Sequence, residues 1–253
     1  MPHLCGGIPN GGPPDIMDFP GDKGGETLSV GVVIPAAGLG ARMGGVRKPF
    51  LELDGEPILA WALRAFLLHP RVTAVAVALG GEDFEAPPSW LTNLDPRIRL
   101  VLGGETRGAS VRAALEALPA SVGFVAVHDA ARPLVTRDII DRCLSEVREG
   151  RGAVAGWPAV DTLKEVDDQG RIVATPNRDR IWHAQTPQVF PRELLLAAYR
   201  RASEAGFTNT DDAALVEGIG GEVVMVPGSA QNLKVTRPED LPLAEFYLTM
   251  GEG

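Results

Sequence analysis

VGVVIPAAGLGARMGGVRKP, residues 30–49, decides the fold. Its first five residues, Val30 to Ile34, form an apolar run of the kind found in strands buried on both faces. The next fifteen, Pro35 to Pro49, form a loop rich in glycine and alanine, so a ligand can approach the backbone closely. Arg42, Arg47 and Lys48 put three cations in that loop. Exposed backbone N–H groups and local positive charge suit a polyphosphate. The other reading is a ligand-free glycine-rich turn between a strand and a helix.

Two common phosphate loops fail on specific residues. In a G-x-G-x-x-G turn, Gly38 and Gly40 fit the first two glycines, but Met43 stands at the third. The acidic residue expected about 20 residues further on has no clear candidate. A P-loop requires Ser or Thr after its lysine, and Lys48 is followed by Pro49.

Working outward, apolar runs alternate with helical patterns. The predicted strands are Val30–Pro35, Val72–Leu79, Ile98–Leu102, Gly123–His128, Ala153–Trp157 and Glu222–Val226. The predicted helices are Pro57–His69, Ser110–Leu118, Thr136–Arg148, Arg192–Glu204 and Asp211–Glu217, with a last one starting near Pro238. This alternation indicates an α/β fold with a mostly parallel sheet. Ligands in such folds sit beyond the carboxyl ends of the strands, where the first loop lies. Thr162–Val166 and Arg171–Ala174 break the alternation and read as an inserted β-hairpin. A lone hairpin is marginal, so it is expected to pack against something, most simply a second subunit.

Composition narrows the function classes. The 253 residues carry 24 Lys and Arg against 33 Asp and Glu, a net charge of −9. That balance argues against a nucleic-acid binder. Cys5 and Cys143 form no C-x-x-C, which argues against a disulfide framework or zinc site and fits a reducing cytoplasm. No apolar run reaches the roughly 18 residues that span a bilayer. Residues 1–28 are dense in Gly and Pro and lack the pattern of a signal peptide. They read as a disordered extension, or as a consequence of start-site choice with Met17 the alternative start.

Three further clusters carry polar groups. Asp129, in His128-Asp129-Ala130-Ala131-Arg132-Pro133, follows a predicted strand beside the first loop, where Mg²⁺ or a turn cap would use it. His128 reads as structural. Gly103-Gly104-Glu105-Thr106-Arg107-Gly108-Ala109-Ser110 opens a helix and could present backbone groups to a base or sugar. In Asn232-Leu233-Lys234-Val235-Thr236, Lys234 lies between apolar neighbours and points either to solvent or into a site.

Taken in order, PAAGLGARM with Lys48, GGETRGAS, VHDAARP, Asp161-Thr162, WHAQTPQ, NTDDAA and NLKVTRPEDLPLAEFYL resemble the 2-C-methyl-D-erythritol 4-phosphate cytidylyltransferases of the non-mevalonate isoprenoid pathway. The resemblance covers residues 29–250. It implies a Rossmann-like, GT-A-like nucleotidyltransferase domain whose hairpin, residues 158–182, is a dimerisation arm. It also implies transfer of CMP from CTP to the sugar phosphate, releasing pyrophosphate. By the same resemblance, Arg42 and Lys48 act on the triphosphate, and Arg178 and Lys234 position the second substrate. Asp129, Arg132, Thr162 and Thr186 make further substrate contacts. Gly104, Glu105 and Ser110 surround cytosine and ribose, with Pro35, Ala36, Ala37 and Gly38 in the first loop. Asp129 is the candidate ligand for Mg²⁺, with triphosphate oxygens and waters supplying the rest. Because Thr162 and Arg178 lie on or beside the arm, a homodimer would share its active sites.

The loop departs from the family at Arg47, where many members carry Pro, and at Ala41, where some carry a second basic residue. Alternatives are a ribitol-5-phosphate cytidylyltransferase, another sugar-phosphate nucleotidyltransferase, or a non-catalytic nucleotide-binding module. Met43 counts against a dehydrogenase.

Overall fold

A computed structural model describes residues 29–38, 47–206 and 211–251. The predicted extension, residues 1–28, and Arg42 lie outside them. Seven strands form one sheet in the order β11-β7-β10-β6-β1-β4-β5. These are β1 (Val30–Ala36), β4 (Val72–Leu79), β5 (Ile98–Leu102), β6 (Phe124–Val127), β7 (Arg151–Pro158), β10 (Trp182–Pro191) and β11 (Glu222–Pro227). Only β10 runs antiparallel to its neighbours β6 and β7. β1 pairs in parallel with β4 on one side and β6 on the other, so the chain reverses its direction of growth there. Such a switch point leaves a crevice at the carboxyl ends of the strands.

Helices cover both faces. α1 (Ile58–Leu67) and α5 (Arg137–Glu146) pack on one face, and α4 (Arg107–Ala117), α6 (Arg192–Ala205) and α7 (Asp212–Glu217) on the other. Alternation along β1 feeds both layers: Val32 and Ile34 join Leu63 and Phe66, while Val33 joins Val111 and Leu115. Being buried on both faces, the strand has no polar alternation to show, as its sequence indicated. Among the described residues, no helix is long and apolar enough to cross a membrane.

Several elements differ from the sequence reading. β10 was not expected, because WHAQTPQVFP interrupts apolar character with Gln, Thr and Pro. The structure accommodates them with a register shift between Ala184 and Gln188, where Pro187 escapes the ladder. A small hairpin also went unread: β2 (Glu52–Leu53) and β3 (Glu56–Pro57) flank Asp54 and Gly55, both at positive φ. Asp-Gly is the sequence signal for that turn. Short helices α2 (Gly81–Glu85) and α3 (Ser89–Thr92) link β4 to β5. α4 begins three residues before its predicted start, capped by the Thr106 hydroxyl, which accepts from the Ala109 N–H at 3.1 Å. α8 (Asp240–Gly251) starts two residues after Pro238, and the Asp240 carboxylate accepts from the N–H groups of Thr236 and Arg237. The inserted hairpin forms as β8 (Glu165–Val166) and β9 (Ile172–Ala174).

At Gly152 in β7, the ring of fully buried Phe190 lies directly over the backbone. A Cβ there would stand 2.6 Å from Phe190 Cε1 and 3.2 Å from the Val189 carbonyl oxygen. Gly152→Ala should therefore cost about 1–3 kcal/mol through overpacking. The check is the urea midpoint, which should fall with an unchanged m-value. A midpoint equal to wild type would show that the ring moves freely.

Candidate active site

Three strand ends converge on one cleft. β1 delivers Pro35–Gly38, the turn after β5 delivers Gly104–Ser110, and β6 delivers Asp129–Ala131. The cleft holds about 200 Å³ and is closed on a fourth side by Lys234. Gly103 permits this closeness: a Cβ there would lie 2.5 Å from Ala37 Cβ and 3.1 Å from the Leu79 carbonyl oxygen. The glycine-rich turn after β5, a weak signal alone, is thus seated against the first loop. Ser110 Oγ braces that turn, accepting from the Gly104 N–H at 3.2 Å and lying 3.0 Å from the Thr106 carbonyl.

Asp129 is the charged centre. Its Oδ2 accepts from Lys234 Nζ at 2.7 Å, and its Oδ1 accepts from Arg107 Nε at 3.0 Å. Burial opposes its ionisation, but Arg107 and Lys234 outweigh it and hold the carboxyl well below the usual carboxylate range. Lys234 is held against the cleft by backbone bonding: the Val235 N–H donates to the Ala131 carbonyl at 2.8 Å. Arg132 Nη1 donates to the Asn232 carbonyl at 2.7 Å, and Asn232 Nδ2 donates to the Thr186 carbonyl at 2.9 Å. Three segments distant in sequence are thereby stitched together.

Behind Asp129 lies a buried chain of hydrogen bonds. The Asp129 N–H donates to Thr186 Oγ1 at 3.0 Å, which sits 3.0 Å from His128 Nδ1. His128 Nε2 lies 3.0 Å from the Arg132 carbonyl, an acceptor, so Nε2 carries the proton and Nδ1 accepts from Thr186. His128 also packs against Phe66 in a tilted ring contact, centroids 5.0 Å apart and planes at 58°. Its role is to orient the loop after β6.

The structure thus brings Pro35, Ala36, Ala37 and Gly38 together with Gly104, Glu105, Ser110, Asp129 and Lys234 around one cleft. Thr186 does not line it; its hydroxyl is buried against His128 and Asp129. Arg132 lies beside it with its guanidinium turned to Asn232. Thr162 and Arg178 are exposed near the arm, Arg178 Nη1 donating to the Val160 carbonyl at 2.6 Å. The Lys48 backbone opens a 3₁₀ turn, Lys48–Phe50. Arg47, with no role assigned from sequence, pairs with Glu82 and Asp83 of α2.

Sequence reasoning missed Arg107 and Asp212. Arg107 lines the cleft, pairing with Asp129 by Nε and with Asp212 Oδ2 by Nη1 at 2.9 Å. Burial disfavours its charge, but the two carboxylates prevail and raise its pKa further. Burial raises the Asp212 carboxyl despite Arg107 beside it. Both residues sat inside quoted motifs, GGETRGAS and NTDDAA, but only folding shows that they meet.

As a metal site, the donor set is sparse. Among the described residues, no group of three or more His, Cys, Asp or Glu could hold an ion. Both Asp129 oxygens already accept from cations. Such a residue fits an ion that arrives on a triphosphate and takes one carboxylate oxygen, and does not fit one caged by protein alone.

The site can be compared with known proteins. Residues 30–250 match the family model for 2-C-methyl-D-erythritol 4-phosphate cytidylyltransferase. The Symbiobacterium thermophilum enzyme of that name is 45% identical over 226 residues, 89% of this chain and 95% of its own length. That of Solibacter usitatus is 42% identical over 234 residues, 87% of this chain and 96% of its own. The crystal structure of the Thermus thermophilus enzyme superposes with a TM-score of 0.72 at 36% identity, covering 87% of this chain and 98% of that one. The Anaerococcus prevotii 4-diphosphocytidyl-2C-methyl-D-erythritol synthase gives a TM-score of 0.78 at 28% identity, covering 88% and 100%.

Burial pushes His128 down to about 4 from its ordinary 6.5. Between those values the unfolded chain binds a proton there that the folded chain does not, so this group's contribution makes stability rise with pH. Its neighbours Asp129, Arg132 and Arg107 keep their charges across that window. The full effect is on the order of 3 kcal/mol. Melting temperatures should fall from pH 6.5 to pH 4, and His128→Gln should flatten that slope. An equal slope in the variant would contradict the assignment.

Proposed function

The chain belongs to the 2-C-methyl-D-erythritol 4-phosphate cytidylyltransferase family, and we propose that it transfers CMP from CTP to 2-C-methyl-D-erythritol 4-phosphate through the cleft around Asp129. The products are 4-diphosphocytidyl-2-C-methyl-D-erythritol and pyrophosphate. The observation that carries this reading is Lys234 poised on Asp129 in the cleft that Pro35–Gly38 at the end of β1 also line.

A phosphate oxygen of the acceptor attacks the α-phosphorus of CTP. The new P–O bond forms as the bond from the α-phosphorus to the bridging oxygen breaks, and pyrophosphate leaves with that electron pair. The nucleophile is already an anion, so no strong base is needed. What must be overcome is repulsion between anions and charge growing on the α-phosphate, so catalysis is positioning plus electrostatics.

Each residue takes a part in that task. Arg42 and Lys48 draw on the triphosphate. The Pro35–Gly38 backbone lies close to it, and Gly104, Glu105 and Ser110 face the nucleoside. Lys234 exchanges Asp129 for phosphate, while Arg107 keeps Asp129 neutralised. Thr186 acts from behind, by fixing the Asp129 backbone. Asp129 would offer one oxygen to a divalent ion carried by CTP. When bound, that ion lowers the triphosphate's negative charge.

Arg178 and Thr162 position the acceptor from a second subunit. The arm supports this dimer: Val160, Val166, Ile172 and Val173 are 66%, 53%, 62% and 57% exposed on it. The buried free thiol of Cys143, pushed up to about 12 by burial, suits a reducing cytoplasm.

Pyrophosphate release with CTP should be fast with methylerythritol phosphate and slow with ribitol 5-phosphate in a parallel assay. Preference for ribitol phosphate would overturn the substrate assignment. Lys234→Ala and Arg42→Ala should each lower kcat/KM by about 10²–10³, the scale of one lost transition-state contact. Near-wild-type turnover in either would remove its assigned role. Sedimentation at micromolar concentration should show a dimer; monomer alone would contradict the shared site.

A further inference from the structure

Asp212 is fully buried, and the transfer chemistry makes no direct use of it. It opens α7 and holds Arg107 Nη1 at 2.9 Å through Oδ2, while the Tyr199 hydroxyl donates to its Oδ1. Tyr199 is buried in the packing between the sheet and α6. Gln188 of β10 locks the same turn: its Oε1 accepts from the Ala213 N–H at 3.0 Å, and its Nε2 donates to Asp211 Oδ2 at 3.0 Å. Asp212 is therefore held directly from two elements, α4 and α6, and its turn is fixed by a third, β10. The other end of the guanidinium it grips, Nε, lies on Asp129. Burying a carboxylate is costly even when it is paired, so stability alone is a weak account of its presence.

We propose that Asp212, backed by Tyr199, is a positioning residue for cytidylyl transfer: it anchors the far end of Arg107 so that the guanidinium stays on Asp129 when Lys234 moves to phosphate. This rests on the transfer reading above. Without the anchor, Arg107 is free to turn onto both oxygens of Asp129 or to reach into the cleft toward the triphosphate. The first movement takes the Asp129 oxygen that Lys234 gives up, and the second leaves the Asp129 charge uncompensated beside the charge that grows during transfer. CTP binding then holds while the rate falls.

The test is steady-state kinetics on the full chain with CTP and methylerythritol phosphate, with folding checked by circular dichroism. Asp212→Asn should lower kcat about 30-fold or more while KM for CTP rises less than about threefold. Tyr199→Phe should lower kcat about fivefold, and the double variant should be no slower than Asp212→Asn, because both act through one guanidinium. A purely structural Asp212 would instead lower the melting temperature and leave kcat per folded molecule intact. That result, or losses that multiply in the double variant, or a KM rise in place of a kcat fall, overturns the proposal. If Asp212→Asn does not fold, Tyr199→Phe decides alone, an unchanged kcat being the adverse result. A wild-type chain with no turnover on any sugar phosphate would instead remove the transfer reading itself.

Discussion

The carboxylate of Asp129, ionised at the end of β6 between Lys234 and Arg107, is the interaction on which the site depends. One anion there gathers two cations whose mutual repulsion would otherwise spread them. It also joins segments far apart in the chain, since Lys234 lies 105 positions from Asp129. The carboxylate thus keeps the two cations of the cleft in place as an internal counter-ion. A triphosphate entering the cleft offers Lys234 a replacement for that anion, so little reorganisation is required when charge develops.

The rest of the fold serves this arrangement. The reversal at β1 opens the cleft, and Gly103 lets the turn after β5 close to contact with Ala37. The pairing of Thr186 with His128 holds the Asp129 backbone from behind. That pairing also explains why a fully buried histidine belongs there: both ring nitrogens have partners, and neither faces the cleft.

Much of this was legible in the sequence, and the reasons differ by element. β4 matched its predicted limits because a strand buried on both faces reads as a nearly continuous apolar run; β5, an edge strand with half-buried or exposed residues and Arg99 within it, matched because its remaining residues are Ile, Leu and Val. β10 was hidden because its middle carries Gln185, Thr186, Pro187 and Gln188, polar or proline residues placed to bond across the sheet and to the loops. The fold mixes one antiparallel strand into a parallel sheet at that point. Loop composition located the cleft-lining residues of the first loop and of the turn after β5. Arg107 and Asp212 escaped because an ion pair between distant segments leaves no local pattern; each looked like an ordinary helix-start residue. Thr186 was assigned to substrate from family likeness; its buried hydroxyl accepts from the Asp129 N–H and lies against His128 Nδ1, a contact between segments that only folding reveals.

The central claim is that Asp129 holds Lys234 in trust for phosphate while Arg107 stays behind. A crystal structure with a non-hydrolysable CTP analogue tests it most directly. The account predicts Lys234 Nζ within hydrogen-bond distance of the α-phosphate, with Arg107 Nε still on Asp129. A triphosphate bound with Lys234 still on Asp129, or with Arg107 drawn off Asp129, would contradict it.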